Sequence, residues 1–265
     1  MRLMTWNINS VRLRMDLLLR LIDEAAPDVI CLQETKVVPD SFPLSPLVAR
    51  GYRFNQILGM KSYNGVAILS RLPVRQQGGF DWCGRADCRH AFIELACGTE
   101  IHCLYIPAGG DIPDPQLNDK FAHKLAFLEA LTAWWPQARS TQHPLVLAGD
   151  FNIAPLEQDV WSHKDLLDVV SHTPLEVEKL AALQNTLDWV DTMRHFIPAT
   201  EKLYSWWSYR ARDWELSDRG RRLDHIWVTP PLRSRLVAGQ ILRAVRGWEP
   251  KPSDHVPVVL DLADS

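Results

Sequence analysis

No run in this 265-residue sequence is long and apolar enough to span a bilayer. The opening MRLMTWNINSVRLRM carries neither the apolar core nor the small-residue cleavage site of a secretory signal, so a cytoplasmic chain with no membrane partner is expected. Cysteine is sparse as well: Cys31, Cys83, Cys88, Cys97 and Cys103 make an odd count with no C-x-x-C pair. That argues against a disulfide framework or a zinc site, and the apolar runs VICLQ and IHCLYI suit buried, reduced thiols. Linkers, repeats and low-complexity segments are missing too, so one domain over residues 1–265 is expected.

An overall excess of positive charge is also lacking, since 29 Lys/Arg face 32 Asp/Glu for a net charge of −3. The balance is uneven along the chain. Residues 194–251 hold twelve Lys/Arg against six Asp/Glu, whereas the part before them is net acidic. A basic stretch beside an acidic body can mark a phosphate-binding surface, although solvated arginines would look the same on charge alone.

What is present is 46% hydrophobic residue content in short patterned blocks. RLMTWN, DVICLQE, NGVAILS, PLVLAGDFN, RLDHIWV and HVPVVLDL read as strands, and AFIELACGTEIHCLYI as two strands joined at Gly98-Thr99. MDLLLRLIDEAA places Leu17, Leu18, Leu21, Ile22 and Ala25 on one helical face and is stopped by Pro27. NDKFAHKLAFLEALTAWWP carries a stripe of Phe121, Leu125, Leu128, Leu131 and Trp135, with Asn118 as its cap and an expected end before Pro136. TPLEVEKLAALQ opens with Thr173 and Glu176 at capping-box spacing and Pro174 at the first helical position. Strands interleaved with amphipathic helices predict a layered α/β sandwich.

Polar residues interrupt the apolar strands at matching places. Asn7 ends RLMTWN, Glu34 ends VICLQE, Asp150 and Asn152 end LVLAGDFN, and Asp254 and His255 precede the last strand. Each alone reads as a turn former or a cap. Together they point to one rim, because a partly buried carboxylate needs a partner to offset desolvation. Oxygen donors of the Glu/Asp/Asn type suit Mg²⁺ or Mn²⁺ rather than zinc. Such a site beside a basic stretch fits phosphoester hydrolysis. Asp254 and His255 are neighbours on an extended segment and should face opposite ways, as should Asp224 and His225. His255 is therefore the better partner for Asp224.

MTWNINSVR, PDVICLQETK, YNGVAILSR, LYIPAGGD, LAGDFNIAP, SWWSYR, RGRRLDHIWV and PSDHVPVVL stand in the order and approximate spacing of the exonuclease III family of abasic-site endonucleases, which this sequence resembles from about residue 1 to residue 262. QETK, GDFN and SDH are shared with the wider superfamily of deoxyribonuclease I, sphingomyelinases and inositol-polyphosphate phosphatases. WNINSVR, YNGVAILSR, WWSYR and RGRRLDH carry the narrower likeness.

The resemblance implies a deoxyribonuclease I-like, four-layer α/β sandwich of two packed mixed β-sheets flanked by helices. It implies Mg²⁺, with Mn²⁺ as a substitute, held at Glu34 with Asn7 assisting and with Asp150, Asn152, Asp254 and His255 around them. It implies Tyr105, Asp150, Asn152 and the Asp224–His255 pair as catalytic residues, with the division of labour among Asp150, His255 and Asp254 open. Trp206 would wall the pocket for a flipped-out abasic sugar, and Arg210, Arg219, Arg222 and Lys36 would contact phosphates. The implied partner is double-stranded DNA with abasic sites or 3′ ends, and the implied state a monomer. Ser208 and Asp218 stand where many members have Asp and Asn, and PAGGD lacks the usual Gln or Asn, which leaves the mix of endonuclease, exonuclease and 3′-phosphatase activities open. A superfamily phosphatase and a silent DNA-binding protein are the rival readings. The first has no need of WWSYR or the basic stretch, and the second predicts a broken ligand set.

Overall fold

The computed structural model describes residues 1–211 and 213–263. Fourteen strands are described: β1 Arg2–Asn7, β2 Val29–Gln33, β3 Phe54–Met60, β4 Tyr63–Ser70, β5 Val74–Gly79, β6 His90–Leu95 and β7 Glu100–Tyr105, followed by β8 Leu145–Asp150, β9 Val190–Asp191, β10 Trp206–Trp207, β11 Gly220–Arg221, β12 Asp224–Val228, β13 Leu236–Ile241 and β14 Val258–Leu262. Twelve of them form two six-stranded mixed sheets, ordered β13-β14-β1-β2-β4-β3 and β5-β6-β7-β8-β12-β9. The remaining two, β10 and β11, pair as a short ribbon.

Strand alternation builds the layers. Leu3, Val29, Cys31, Val66 and Ile68 of the first sheet meet Ile93, Ile101, Cys103, Val146, Ala148 and Ile226 of the second in a core between the sheets. The alternate residues Met4, Trp6, Ile30 and Leu32 face outward onto Leu17, Leu18, Leu21 and Ile22 of helix Met15–Ala25. On the other side Leu104, Leu145, Leu147 and Trp227 face helices Asp119–Ala138 and Pro174–Asn185. The result is the four-layer sandwich expected. Because both faces of the central strands are buried, their sequences read as continuous apolar runs.

The expected caps are in place: Asn118 accepts from Lys120 N, and Thr173 and Glu176 form a capping box. The helix expected to end before Pro136 runs on to Ala138. Proline removes one N–H, and in the final turn that loss does not break the helix. The sequence reading missed β3, β5 and β13. They lie toward the sheet edges with half-exposed or exposed residues, so no apolar run marks them. No helix among the described residues is long and apolar enough to cross a membrane.

Candidate active site

The parity that fills the inter-sheet core also aims polar side chains. Asn7 shares its face with Leu3 and Thr5, Tyr105 with Cys103, Asp150 with Ala148, and Asp224 with Ile226. The parallel pairs β1–β2 and β7–β8 end at the same edge, where Tyr105 lies opposite Asp150 and antiparallel β12 begins with Asp224 opposite Asp150. All four polar groups therefore converge between the sheets at one rim. Glu34 follows inward-facing Gln33 and would by alternation point outward. Its left-handed backbone, φ 52°, turns the chain so that its carboxylate joins the inner set.

Asp224 Oδ2 accepts from His255 Nδ1 at 2.8 Å and from Ser205 Oγ at 2.7 Å. His255 Nε2 lies 3.7 Å from Asp150 Oδ2. Burial alone would drive the His255 proton off, but the carboxylates of Asp224 and Asp150 outweigh it and hold the imidazole pKa up at about 10. His255 is thus a cation at neutral pH. Asp150 is pushed up to about 7 by burial and by Asp224, against the pull of His255 and the hydrogen bond from Asn7. His225 points to the opposite face and bonds Ile153 O at 2.8 Å.

Asn7 Nδ2 bridges the two carboxylates, 3.0 Å from Glu34 Oε1 and 2.9 Å from Asp150 Oδ2. Tyr105 OH donates to Glu34 Oε1 at 2.9 Å. Burial and the Glu34 and Asp150 charges raise its pKa well above the usual phenol value, so the phenol stays neutral. Asn152, at φ 54°, donates its backbone N–H to Asp150 Oδ1 at 2.9 Å and its amide to Ile106 O at 2.9 Å and Asp150 Oδ2 at 3.2 Å.

Glu34 Oε2 is left facing Lys36 Nζ at 2.9 Å. Burial opposes ionisation of Glu34, yet the Asn7 hydrogen bond and the Lys36 charge hold its carboxyl below the ordinary range. These donors fit a hard divalent cation: an ionised carboxylate already bearing an ammonium, a second carboxylate joined to it through Asn7, and no thiolate in the set. Ligand atoms of Asp150, Asp224 and His255 also lie within 4.8 Å of one another, and Asp224 Oδ1 is buried without a partner. A cationic imidazole bonded through Nδ1 offers no lone pair, so the oxygens of Glu34 and Asp150 are the better donors. Asp254 is held apart from them, accepting from Asn9 Nδ2 at 3.2 Å and Trp206 Nε1 at 3.0 Å.

Beside the rim opens a groove of about 620 Å³ lined by Trp161, Trp206, Ser208, Arg210, Arg219 and Arg221 among others. Arg219 lies over the Trp161 ring at 4.7 Å and Arg221 over Trp206 at 5.4 Å.

A model of the endonuclease/exonuclease/phosphatase family matches residues 4–255 of this sequence. Exodeoxyribonuclease III of Haemophilus influenzae is 31% identical over 269 residues, covering 97% of this chain and 98% of that protein. The chain belongs to the exonuclease III family. Among solved structures, an AP endonuclease from Archaeoglobus fulgidus superposes with a TM-score of 0.91 at 30% identity, covering 99% of each chain. A Neisseria 3′ phosphatase bound to a product DNA hairpin superposes at 0.90 with 29% identity over the whole of both chains. This exonuclease III family member is accordingly a phosphodiester hydrolase of the DNA-repair nuclease type.

Of the residues the sequence nominated in this family member, Asn7, Glu34, Tyr105, Asp150, Asn152, Asp224 and His255 meet at the rim. Asp254 and Lys36 sit at its edge, and Trp206, Arg210 and Arg219 line the groove. Arg222 does not belong with them. It is fully buried, bonded to Asp159 at 2.8 and 2.9 Å and to Asp191 at 2.7 Å, with no face left for a phosphate. In RGRRLDH the alternation toward Asp224 hides Arg222 and leaves Arg221 on the groove. Ser205, which orders Asp224, and Asn9, which links Asp254 to Lys36 Nζ at 2.5 Å, were missed. Their one signal was membership of SWWSYR and MTWNINSVR, which does not distinguish them from turn formers.

Proposed function

We propose that this chain is a Mg²⁺-dependent nuclease that acts on duplex DNA, cleaving the phosphodiester 5′ to an abasic site and trimming 3′ ends, as a single-domain monomer in the cytoplasm. The observation that carries the reading is the His255 imidazole, fixed by Asp224 and set beside Asp150, on a rim that opens into an aromatic and arginine-lined groove. The five free cysteines suit a reducing compartment.

In this reading Asp150 accepts the proton of the water that attacks phosphorus. Asn152 and Asn7 hold its two oxygens in place. The 3.7 Å gap between His255 Nε2 and Asp150 leaves the imidazolium N–H free to bond a phosphoryl oxygen as negative charge accumulates there. Glu34 and Asp150 would hold the divalent cation, which when bound stabilises charge on the phosphoryl and leaving oxygens. Tyr105 fixes Glu34 and, kept neutral, remains a donor. Trp206, tied by its indole N–H to Asp254, offers a flat apolar wall suited to a sugar without a base. A phosphatase for small phosphoesters could use the same acid and base but gains nothing from that wall or from Arg210 and Arg219.

The test is incision of a duplex carrying one abasic-site analogue, with Mg²⁺ and with chelator, alongside 3′-recessed and 3′-phosphate duplexes. Absence of a Mg²⁺-dependent cut 5′ to the lesion would sink the reading.

A further inference from the structure

Residues 208–211 separate the groove from a second depression. Ser208 and Arg210 face the groove, whereas Tyr209 faces the other side, where a pocket of about 520 Å³ is lined by Leu13, Arg14, Trp214, Arg246 and Lys251 among others. Two features of this pocket are unexplained by the fold. Arg14 and Arg246 are only 5% and 6% exposed, yet neither forms an ion pair among the described residues. Arg14 bonds neutral oxygens alone: Asn9 O, Tyr209 OH at 2.8 Å and Pro252 O at 3.2 Å, with Nε buried and unpartnered. Arg246 reaches Trp207 O through Nε and Nη2 at 3.4 Å, the outer limit of a hydrogen bond, and rests against Tyr209 and Trp214. Its Nη1 has no hydrogen-bond partner among the described residues.

The contrast with Arg222 is direct. That guanidinium, equally hidden, is neutralised by Asp159 and Asp191. Burying a charge without a counter-charge is costly, and a planar fork of N–H groups matches a phosphate. Lys251 adds a third cation at the mouth, and the one acid lining the pocket, Glu249, is exposed.

We infer that the pocket of Arg14, Arg246 and Lys251 binds a backbone phosphate of the DNA substrate, distinct from the phosphate being cleaved. The inference rests on the nuclease reading. A backbone phosphate suits the pocket better than a free anion, because the pocket shares residues 208–211 with the groove and Lys251 and Pro252 run straight into Ser253–His255. Arg14 also holds the carbonyl of Asn9, whose side chain spans Asp254 and Lys36. A phosphate on Arg14 would therefore anchor the loop that carries Lys36 onto Glu34.

The experiment is equilibrium binding of a fluorescent abasic-analogue duplex in chelator, followed by anisotropy across a salt series, for wild type, Arg246→Gln and Lys251→Gln. Each variant should weaken binding several-fold whatever the duplex sequence, and flatten the slope of log K against log salt by about one. Lys251 is exposed, so Lys251→Gln keeps the wild-type melting temperature and gives the answer even if Arg246→Gln does not fold. Slopes and affinities equal to wild type in the folded variants overturn the inference. A parallel arm follows melting temperature in inorganic phosphate against chloride at equal ionic strength. If phosphate protection depends on these residues while duplex binding does not, the pocket is a free-anion site and the DNA assignment falls. Wild type that neither binds nor cuts the duplex sinks the nuclease reading itself, whereas wild type that cuts while both variants match its binding sinks only the second phosphate site.

Discussion

His255 Nδ1 and Asp224 Oδ2 meet at 2.8 Å across the interface between two sheets. Asp224 opens β12 of one sheet and His255 leads into β14 of the other. Asn7 reaches Asp150 and Tyr105 reaches Glu34 across the same interface. The rim is thus stitched by bonds that exist only when both sheets are packed.

In the proposed reaction the Asp224–His255 bond should set the alkaline limit. With a folded pKa of about 10, His255 is charged through neutrality and loses its proton as pH rises toward 10. Asp224→Asn removes the largest influence holding that proton. The variant should lose about 10²-fold or more in kcat, with its alkaline limb moved toward neutrality. Rate–pH profiles of both proteins check this; superimposable limbs would detach His255 from the reaction.

Tyr105 and Asn7 should act on the proposed cation through Glu34, which both hydrogen-bond. Tyr105→Phe leaves Glu34 Oε1 with one donor instead of two, and partners behind a ligand are typically worth about 10- to 100-fold in metal affinity. The Mg²⁺ concentration for half-maximal activity should rise by that order, with most of the rate recovered at saturating Mg²⁺. A Mg²⁺ titration that overlays the wild type would confine Tyr105 to packing.

Arg222 and the groove arginines should separate cleanly. Arg222→Met leaves buried Asp159 to Arg194 and takes the ion pair from Asp191, and should cost about 3 kcal/mol of stability. Arg210→Gln and Arg219→Gln should leave the melting temperature unchanged and weaken duplex binding, each flattening the salt slope by about one. Thermal denaturation together with anisotropy reads both; weaker DNA affinity in a fully stable Arg222→Met protein would reverse the assignment.

Glu100 contributes acid-sensitive stability remote from the rim. Burial would raise its pKa, but hydrogen bonds from His102 at 2.7 Å and from Arg139 outweigh it and bring the carboxyl down to about 2. A depressed carboxyl stabilises fully above its unfolded value of about 4.5, and that contribution fades as pH falls toward 2. Glu100→Gln should lose about 2 kcal/mol at pH 7 and much less at pH 3. Urea denaturation at the two pH values tests the difference, and an equal deficit at both would rule out the charge as the cause.

The residues of the site were legible as types and positions: carboxylates and amides ending apolar strands at Asn7, Glu34, Asp150 and Asn152, and a strand rule that kept Asp254 from pairing with His255. That rule needs only the period of two, a local property of the chain. Arg222 was misread because RGRR names four neighbours without saying which falls on the buried face. Ser205 and Asn9 were invisible because a hydroxyl or amide between aromatic or apolar residues looks the same whether it braces an aspartate or turns a loop. Which side chains share a rim depends on sheet order and on how two sheets stack, and neither is written in any local pattern. Local periodicity determined the central strands, the long helices and which of their side chains share a face, but neither the edge strands β3, β5 and β13 nor the turn that brings Glu34 inward. Packing alone decided that Asp224 meets His255, that Asp159 claims Arg222, and that Arg14 and Arg246 share a pocket with neither in an ion pair among the described residues, because those contacts join residues 31 positions apart or more.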